Sequence, residues 1–325
     1  MLQPIPFPFD WVIWVTMLAL LVLIAAGRRV GSLTTVFAVI AVGYSLFDQQ
    51  RWQPWFYQYV VMLVAIAFGK VDACRFIVVS IYFWSGVQKL NPGFTEHTFQ
   101  WMMEPFGGSW PVGLAYGAAI TESAIGVGLM IAAWRNLAVV LAIAMHVFIL
   151  ASIGPWGHNH NRVVWPWNLV MAALVILLFW RNSNVTIRNL VKGGYVVVAL
   201  FGVMPALSLI GLWDSYLSFS LYSGNQNKAT IYMDDTVAGK LPEAVQQVVS
   251  VYNSDFPVDA LDLEDWSYDE LNVPPYAELR VIRNVGRQVC RDTGNSPLMV
   301  MIVEPRRLWF QQRHSIQYTC AALSK

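Results

Sequence analysis

The chain has 325 residues, of which 56% are hydrophobic and 13% are charged, and its formal net charge is +1. A soluble domain carries roughly 25% charged residues, so this composition excludes an ordinary soluble protein and is typical of a membrane protein. A net charge close to zero also gives no reason to expect nucleic acid as a partner. The lipid bilayer is therefore the first partner that the sequence predicts.

Charged residues are spread unevenly along the chain. Residues 1–213 hold 11 Lys and Arg and 6 Asp and Glu, whereas residues 214–325 hold 10 and 14, a net charge of −4. The second region has no long apolar run, and its length is sufficient for a small core of its own. We therefore predict a transmembrane domain over residues 1–213 and a soluble domain over residues 214–325.

Apolar runs in the first domain predict membrane-spanning helices. They lie near residues 11–27, 31–47, 55–69, 76–88, 112–133, 136–153, 164–180 and 194–213. Several are shorter than the roughly 20 residues that an upright helix needs to cross a bilayer. The predicted fold is an all-α polytopic membrane helical bundle of about eight spans, followed by a small α+β soluble domain. In that domain, short β-like runs at residues 229–233, 298–303 and 315–319 flank helix-like stretches near residues 237–250 and 276–292.

The connections between these runs alternate in charge. One set contains Arg28, Arg29, Lys70, Arg75, Arg135, Arg181, Arg188 and Lys192, whereas the other contains Arg51, Lys89 and Arg162. Because cytoplasmic loops carry the excess of basic residues, the first set is predicted to be cytoplasmic. Both termini and the soluble domain are then extracytoplasmic. On that side Cys290 and Cys320 either form a disulfide or remain free, whereas Cys74 lies in a cytoplasmic connection.

Lys89 ends the fourth apolar run. A lysine in this position is either an interfacial anchor or a functional group. Nearby Tyr82, Trp84 and Trp101 fit an aromatic belt, which favours an anchor. The specific turn over residues 90–93 favours a function instead. Desolvation disfavours an ammonium, and a neutral lysine is a general base.

Three further places hold candidate site residues. Glu122 and His146 lie inside the fifth and sixth apolar runs, where ionisable groups face the bundle interior, so they either pair with each other or line a site. His158 and His160 lie in an outer connection. No carboxylate or cysteine nearby in the sequence completes a metal ligand set with them, so we predict no metal and interpret them either as part of a solvated polar loop or as the rim of a substrate pocket.

The segment Tyr82-Phe83-Trp84-Ser85-Gly86-Val87-Gln88-Lys89-Leu90-Asn91 resembles a motif of the vitamin K-dependent γ-carboxylase family. More broadly, roughly residues 10–215 resemble the bacterial horizontally transferred transmembrane (HTTM) domain proteins. The resemblance implies a lyase-type enzyme in which Lys89 deprotonates reduced vitamin K or a related lipid quinol. Oxygenation by O2 then gives an epoxide, and the strong base formed removes a proton from a peptidyl glutamate before CO2 adds.

This resemblance also implies a site and partners. The predicted cofactor-binding residues are Trp84, Gln88, Glu122, His146, His158 and His160. The implied partners are a lipid quinone and an extracytoplasmic peptide or protein substrate. The expected location is the bacterial inner membrane.

Two alternatives remain open. The shorter pattern Gly86-Val87-Gln88-Lys89-Leu90 is similar to one in DoxX and methylamine-utilisation MauE proteins. That similarity implies a membrane redox subunit that exchanges electrons between quinone and extracytoplasmic thiols. The other alternative is a non-enzymatic membrane scaffold in which Lys89 is only an anchor.

Overall fold

The computed structural model describes residues 7–108, 110–251, 258–308 and 314–324. Two compact units make up the chain. The helical unit contains the described residues up to Ser152 and Trp167–Gly224. The sheet unit contains Ile153–Pro166 and the described residues from Asn225 onward. The predicted boundary between residues 213 and 214 separates a transmembrane domain from a soluble domain, and it remains a prediction.

The described chain before residue 208 is mainly α-helical. Its α-helices are α1 (Phe9–Ala25), α2 (Val30–Phe47), α3 (Pro54–Ala67), α4 (Val71–Gln88), α5 (Phe99–Met103), α6 (Val112–Met130), α7 (Arg135–Ile153), α8 (Val164–Phe179), α9 (Ile187–Lys192), α10 (Tyr195–Val197) and α11 (Met204–Leu207). Two π-helical turns, Gly93–Thr98 and Val198–Val203, continue into α5 and α11.

Three of these helices, α2, α6 and α7, are long and apolar enough to cross a membrane. Four shorter apolar helical segments accompany them: α1, α3, α8 and Tyr195–Ile210. An α-helix rises 1.5 Å per residue, so the 14 residues of α3 fall well short of a hydrocarbon core about 30 Å thick. These helices support an integral membrane location, whereas the expected count of about eight spans is not confirmed.

The fourth predicted run is part of α4, which begins earlier than expected. Asp72 and Arg75 lie in its first two turns and form an ion pair of 2.6 Å, and Arg75 Nε also donates to the carbonyl of Leu178. Polar groups at this end explain why α4 is not among the three membrane-type helices. Further along, Ile77, Val78 and Tyr82 are buried in the core of the helical unit.

A buried arginine joins the chain segments at one end of α6 and α7. Arg135 is 3% exposed, and its guanidinium donates to the carbonyls of Leu129, Met130, Asn182 and Val185. The carbonyls at a helix C-terminus have no partner within the helix, and those of Leu129 and Met130 gain one here. This arginine is therefore structural.

The sheet unit contains a five-stranded antiparallel sheet with the strand order β2-β3-β1-β4-β5. The strands are β1 (Lys228–Met233), β2 (Ser250–Val251), β3 (Asp259–Asp262), β4 (Val300–Glu304) and β5 (Ile316–Thr319). The described helices among them are α12 (Asp235–Ala238), α13 (Glu243–Gln246), α14 (Leu263–Leu271), α15 (Leu279–Asp292) and α16 (Cys320–Leu323). This arrangement confirms a small α+β domain.

One face of this sheet forms the core of the sheet unit. Ile231 of β1 is paired in register with Leu261 of β3 and Met301 of β4, and all three side chains are fully buried. Helix α15 packs on this core through Ile282 and Val289. Because side chains alternate along a strand, the other face of β1 is only partly buried.

Candidate functional site

Glycines let α4 and α6 pack very closely. A Cβ on Gly86 would lie 2.4 Å from the backbone nitrogen of Ser123, and one on Gly126 would lie 2.8 Å from that of Phe83. Both distances are shorter than real Cβ contacts, so only glycine fits at either position. Close approach through small residues is a common way for helices to associate in membranes. Here it brings the end of α4 beside α6.

Lys89 forms an ion pair with Glu122 across this contact. Its Nζ lies 2.6 Å from Oε2 of Glu122 and 2.8 Å from Oγ of Ser85, one turn earlier on α4. Both charged side chains are 11% exposed. Among the described residues these two are the hydrogen-bond partners of the ammonium, and a lysine has three N–H donors. One donor therefore remains for a ligand or water.

A second polar cluster lies deeper in the helical unit and joins α4, α7 and α8. Nε2 of His146 lies 2.7 Å from Oη of Tyr82, and Nδ1 lies 2.8 Å from Oδ1 of Asn168. Because Oδ1 of Asn168 accepts, Nδ1 carries the proton, and Nε2 accepts from the Tyr82 hydroxyl. All three side chains are buried. The imidazole is thus fixed in one tautomer and one orientation.

The two clusters influence each other. The Glu122 carboxylate interacts electrostatically with both Tyr82 and His146, and the Lys89 ammonium interacts with His146. In the poorly polarisable interior of a membrane protein such interactions are weakly screened. The sequence left open whether Glu122 and His146 pair with each other or line a site, and in the structure Glu122 pairs with Lys89.

Helical periodicity explains which residues of α4 meet these clusters. At 100° per residue, Tyr82, Ser85 and Lys89 lie within about 60° of one another, whereas Trp84 and Gln88 are centred about 110° away around the helix axis. Nε1 of Trp84 donates to the carbonyl of Gly202 at 3.1 Å, and Nε2 of Gln88 donates to Oγ of Ser208 at 2.7 Å. These two predicted cofactor-binding residues therefore hold the Tyr195–Ile210 segment, on a different side of α4 from Lys89.

His158 and His160 belong to the sheet unit. The His160 ring lies 4.0 Å from the ring of Tyr268 on α14, and its burial there lowers its pKa below the usual 6.5. The nearby carboxylate of Glu264 acts in the opposite direction, and His158 acts in the same direction as burial. The structure brings His160 to Tyr268 rather than to a described metal ligand set. Within the described ranges, no group of three His, Cys, Asp or Glu could hold a metal ion.

The three cysteines are accounted for by the two units. Cys290 and Cys320 form a disulfide, with 5.6 Å between their Cα atoms, and both are buried in the sheet unit. Cys74 is a free thiol buried in the helical unit. The sequence left the pairing of Cys290 and Cys320 open, and the structure decides for the disulfide.

Two residues of the candidate site were not singled out as site residues from the sequence. Tyr82 was interpreted as part of an aromatic belt, and Ser85 was only part of the motif. Their positions seven and four residues before Lys89 place them on the same helix face, and this periodicity was the signal that would have identified them. Asn168 on α8 forms its hydrogen bond to His146 on α7, so it joins these two helices.

Comparison with known proteins adds a partial family match. A family model described as DoxX matches residues 71–154, which is about a quarter of the chain. The matched segment begins with α4 and ends one residue after α7. No curated protein matches the chain, and no solved structure does.

This match corrects the interpretation of the Lys89 motif. The expected relation to the γ-carboxylase and HTTM families is wrong, and so is the hypothesis of quinol epoxidation coupled to carboxylation, because the model that fits this segment is DoxX. The pattern Gly-x-x-Lys-Leu is too short to separate these families. The match instead agrees with the DoxX/MauE-like redox alternative.

Proposed function

We propose that this chain is a membrane redox subunit that transfers electrons between a lipid quinone and extracytoplasmic thiols. Two thiols are oxidised to a disulfide, and the quinone takes up their two electrons and two protons to become a quinol. The reverse direction uses the same groups. O2 and CO2 were implied by the carboxylase resemblance alone and have no part in this proposal.

The DoxX match carries the proposal. Residues 71–154 include Tyr82, Lys89, Glu122 and His146, which are the acid, base and hydrogen-bonding groups of the two polar clusters. Ionisable residues within membrane helices are costly and are usually retained for substrate binding or proton transfer. The matched segment is thus also the part of the helical unit with the most chemically active side chains.

Quinone chemistry needs proton donors and acceptors where little water is available. In this proposal the third N–H of Lys89 donates to a quinone oxygen, and Glu122 balances the charge and exchanges protons. The neutral His146, held by Asn168, orients the Tyr82 hydroxyl. Positioned groups of these types commonly accelerate proton transfer by about 10²–10⁴-fold.

The thiols in this proposal come from a second substrate. Cys74 is buried, and the Cys290–Cys320 disulfide lies in the core of the sheet unit. Thiol exchange requires a thiolate that can reach the disulfide sulfur, so buried sulfurs are poor partners. A small thiol or an extracytoplasmic thiol protein is therefore the expected electron donor.

The test is quinone reduction by the full chain in proteoliposomes. A soluble ubiquinone analogue and glutathione are supplied without oxygen, and quinone loss is followed by its ultraviolet absorbance. Lys89→Met and Glu122→Gln should each lower the rate about 100-fold. Lys228→Met, which removes the exposed lysine of the 3.1 Å Lys228–Glu264 pair, is the matched control and should retain the wild-type rate.

Two results would contradict the proposal at different levels. A wild-type rate no higher than that of protein-free liposomes rejects the redox function. If both site variants reduce quinone at the wild-type rate, Lys89 and Glu122 are not the groups that carry out the redox function. Lys89→Arg separates proton transfer by Lys89 from a purely electrostatic role, because arginine keeps the charge but is a poor proton donor. Full activity in that variant means that Lys89 acts only through its charge.

A further inference from the structure

Three sulfur atoms meet in the core of the sheet unit. Met299 Sδ lies 3.8 Å from Sγ of Cys290 and 3.8 Å from Sγ of Cys320. Cys290 is 1% exposed, Cys320 is 2% exposed and Met299 is fully buried. The three side chains come from α15, from the turn before β4 and from α16, so the fold rather than the local sequence brings them together.

We propose that these three sulfurs bind one Cu⁺ ion when the Cys290–Cys320 disulfide is reduced. The site lies outside the polar clusters of the helical unit and is independent of the redox function proposed there. Bonds from sulfur to a d¹⁰ metal ion are about 2.3 Å long, so a trigonal site places its sulfurs about 4 Å apart. The two distances to Met299 already have this length. Only the two cysteine sulfurs need to separate.

The donor set selects for copper. Thiolate and thioether sulfurs are soft ligands, and Cu⁺ is the metal ion that favours them in this combination. Structural Zn²⁺ takes four ligands from cysteine, histidine and carboxylates. In the part of the chain that the structure describes, no three such residues form a group, so a zinc site here lacks ligands.

The binding step balances in atoms and charge. When the sheet unit opens locally, a dithiol reductant reaches the disulfide, gives it two electrons and two protons and is itself oxidised to a disulfide. Cu⁺ then replaces the two thiol protons, which are released to solvent, and forms two Cu–thiolate bonds. Met299 completes the site by donating a sulfur lone pair. No change in the oxidation state of copper is involved.

The experiment uses the full chain in detergent, reduced with a phosphine and desalted without oxygen. Cu⁺ is supplied as its complex with a bidentate chromogenic chelator, and the loss of the coloured complex gives the affinity and stoichiometry. Reduced wild type should withdraw one Cu⁺ more than oxidised wild type. X-ray absorption of the loaded protein should show three sulfur neighbours at about 2.3 Å.

Met299→Leu is the decisive variant because it leaves both cysteines and the core volume in place. Loss of a hydrogen-bond partner of a metal ligand typically weakens metal binding by roughly 10- to 100-fold. Because Met299 is itself a ligand in this proposal, Met299→Leu should weaken Cu⁺ binding by at least as much. Met301→Leu is the matched control, since this methionine is equally buried but its sulfur lies against Gly286. It should bind Cu⁺ like wild type.

Equal affinity of wild type and Met299→Leu, or no difference between oxidised and reduced wild type, overturns the site. Two sulfur neighbours in place of three also overturn the role of Met299, whatever the affinities. Quinone reduction in the helical unit is measured separately. Its failure leaves the copper result unaffected.

Discussion

Lys89 and Glu122 decide how the polar end of α4 is interpreted. A lysine that only anchors a helix reaches toward the headgroups, whereas this one is turned onto a carboxylate 2.6 Å away and is 11% exposed. Two buried charges are tolerated when they are paired and hydrogen-bonded, and Ser85 supplies a further contact. The pair is therefore a specific feature of the α4–α6 contact.

A double-mutant cycle tests this pairing. Lys89→Met and Glu122→Gln should each lower the free energy of unfolding by about 3 kcal/mol, because each leaves its partner buried without a counter-charge. The double variant should be less destabilised than the sum of the two, with a coupling energy of about 1–3 kcal/mol. Denaturant unfolding of the full chain in mild detergent measures this coupling, and strict additivity would show that the two charges do not interact.

His160 gives a pH-dependent prediction in the sheet unit. Burial against Tyr268 lowers its pKa below 6.5, so the folded state binds fewer protons than the unfolded state near that pH. The stabilising contribution is therefore complete above pH 6.5 and decreases as the pH falls toward the lowered value. Amide protection factors in α14, which are corrected for the pH dependence of intrinsic exchange, should be lower at pH 5.5 than at pH 7.5 in wild type. His160→Gln should remove this part of the pH dependence, and an unchanged pH dependence would exclude His160 as its source.

At the scale of elements, α4 organises the helical unit by presenting different groups on two different sides. One face carries Lys89 and Tyr82 toward α6 and α7, and the other holds the Tyr195–Ile210 segment through Trp84 and Gln88. The glycines at the α4–α6 contact set the distance between these helices. The packing of the helices thus sets the positions of the polar side chains, whereas the helix propensities of these residues do not.

Two glycines on α6 allow a matched test of this packing. Gly126→Ala places a Cβ 2.8 Å from the backbone of α4 and should cost about 1–3 kcal/mol by forcing the helices apart. Gly117→Ala lies on the same helix with no atom within 4 Å of the added Cβ, and alanine favours a helix by up to about 1 kcal/mol. Thermal unfolding should therefore show a lower Tm for Gly126→Ala only. Equal Tm values would mean that the α4–α6 contact is looser than described.

At the scale of the whole molecule, the disulfide stabilises one unit and not the other. Cys290 and Cys320 are separated by 30 residues, and closing a loop of that length stabilises a fold by about 3–4 kcal/mol. Replacing both cysteines by serine should lower the free energy of unfolding of the sheet unit by this amount. Cys74→Ser, in the helical unit, should leave that transition unchanged. Limited proteolysis with separate detection of the two units measures the difference.

The sequence by itself determined the kinds of structure and their order. Long apolar runs with little charge require helices, because a helix satisfies its backbone hydrogen bonds internally where water is absent. The acidic region after residue 213 has no such run and requires a separate core. Alternating apolar residues predicted β1, β4 and β5, and apolar periodicity predicted α15. The predicted helix over residues 237–250 is instead two short helices, α12 and α13, because Gly239 and Pro242 interrupt it. Strands β2 and β3 were missed because they are only two and four residues long.

Only the tertiary structure decided which residues meet. Glu122 lies 33 residues after Lys89, and His146 lies 64 residues after Tyr82, so no local pattern pairs them. The glycine contact between α4 and α6 brings Lys89 and Glu122 together. Both this pair and the Tyr82–His146 pair form because a buried polar group needs a hydrogen-bond partner inside the protein. The same reason unites Cys290, Cys320 and Met299: packing of a small core brings together sulfurs that the sequence keeps apart.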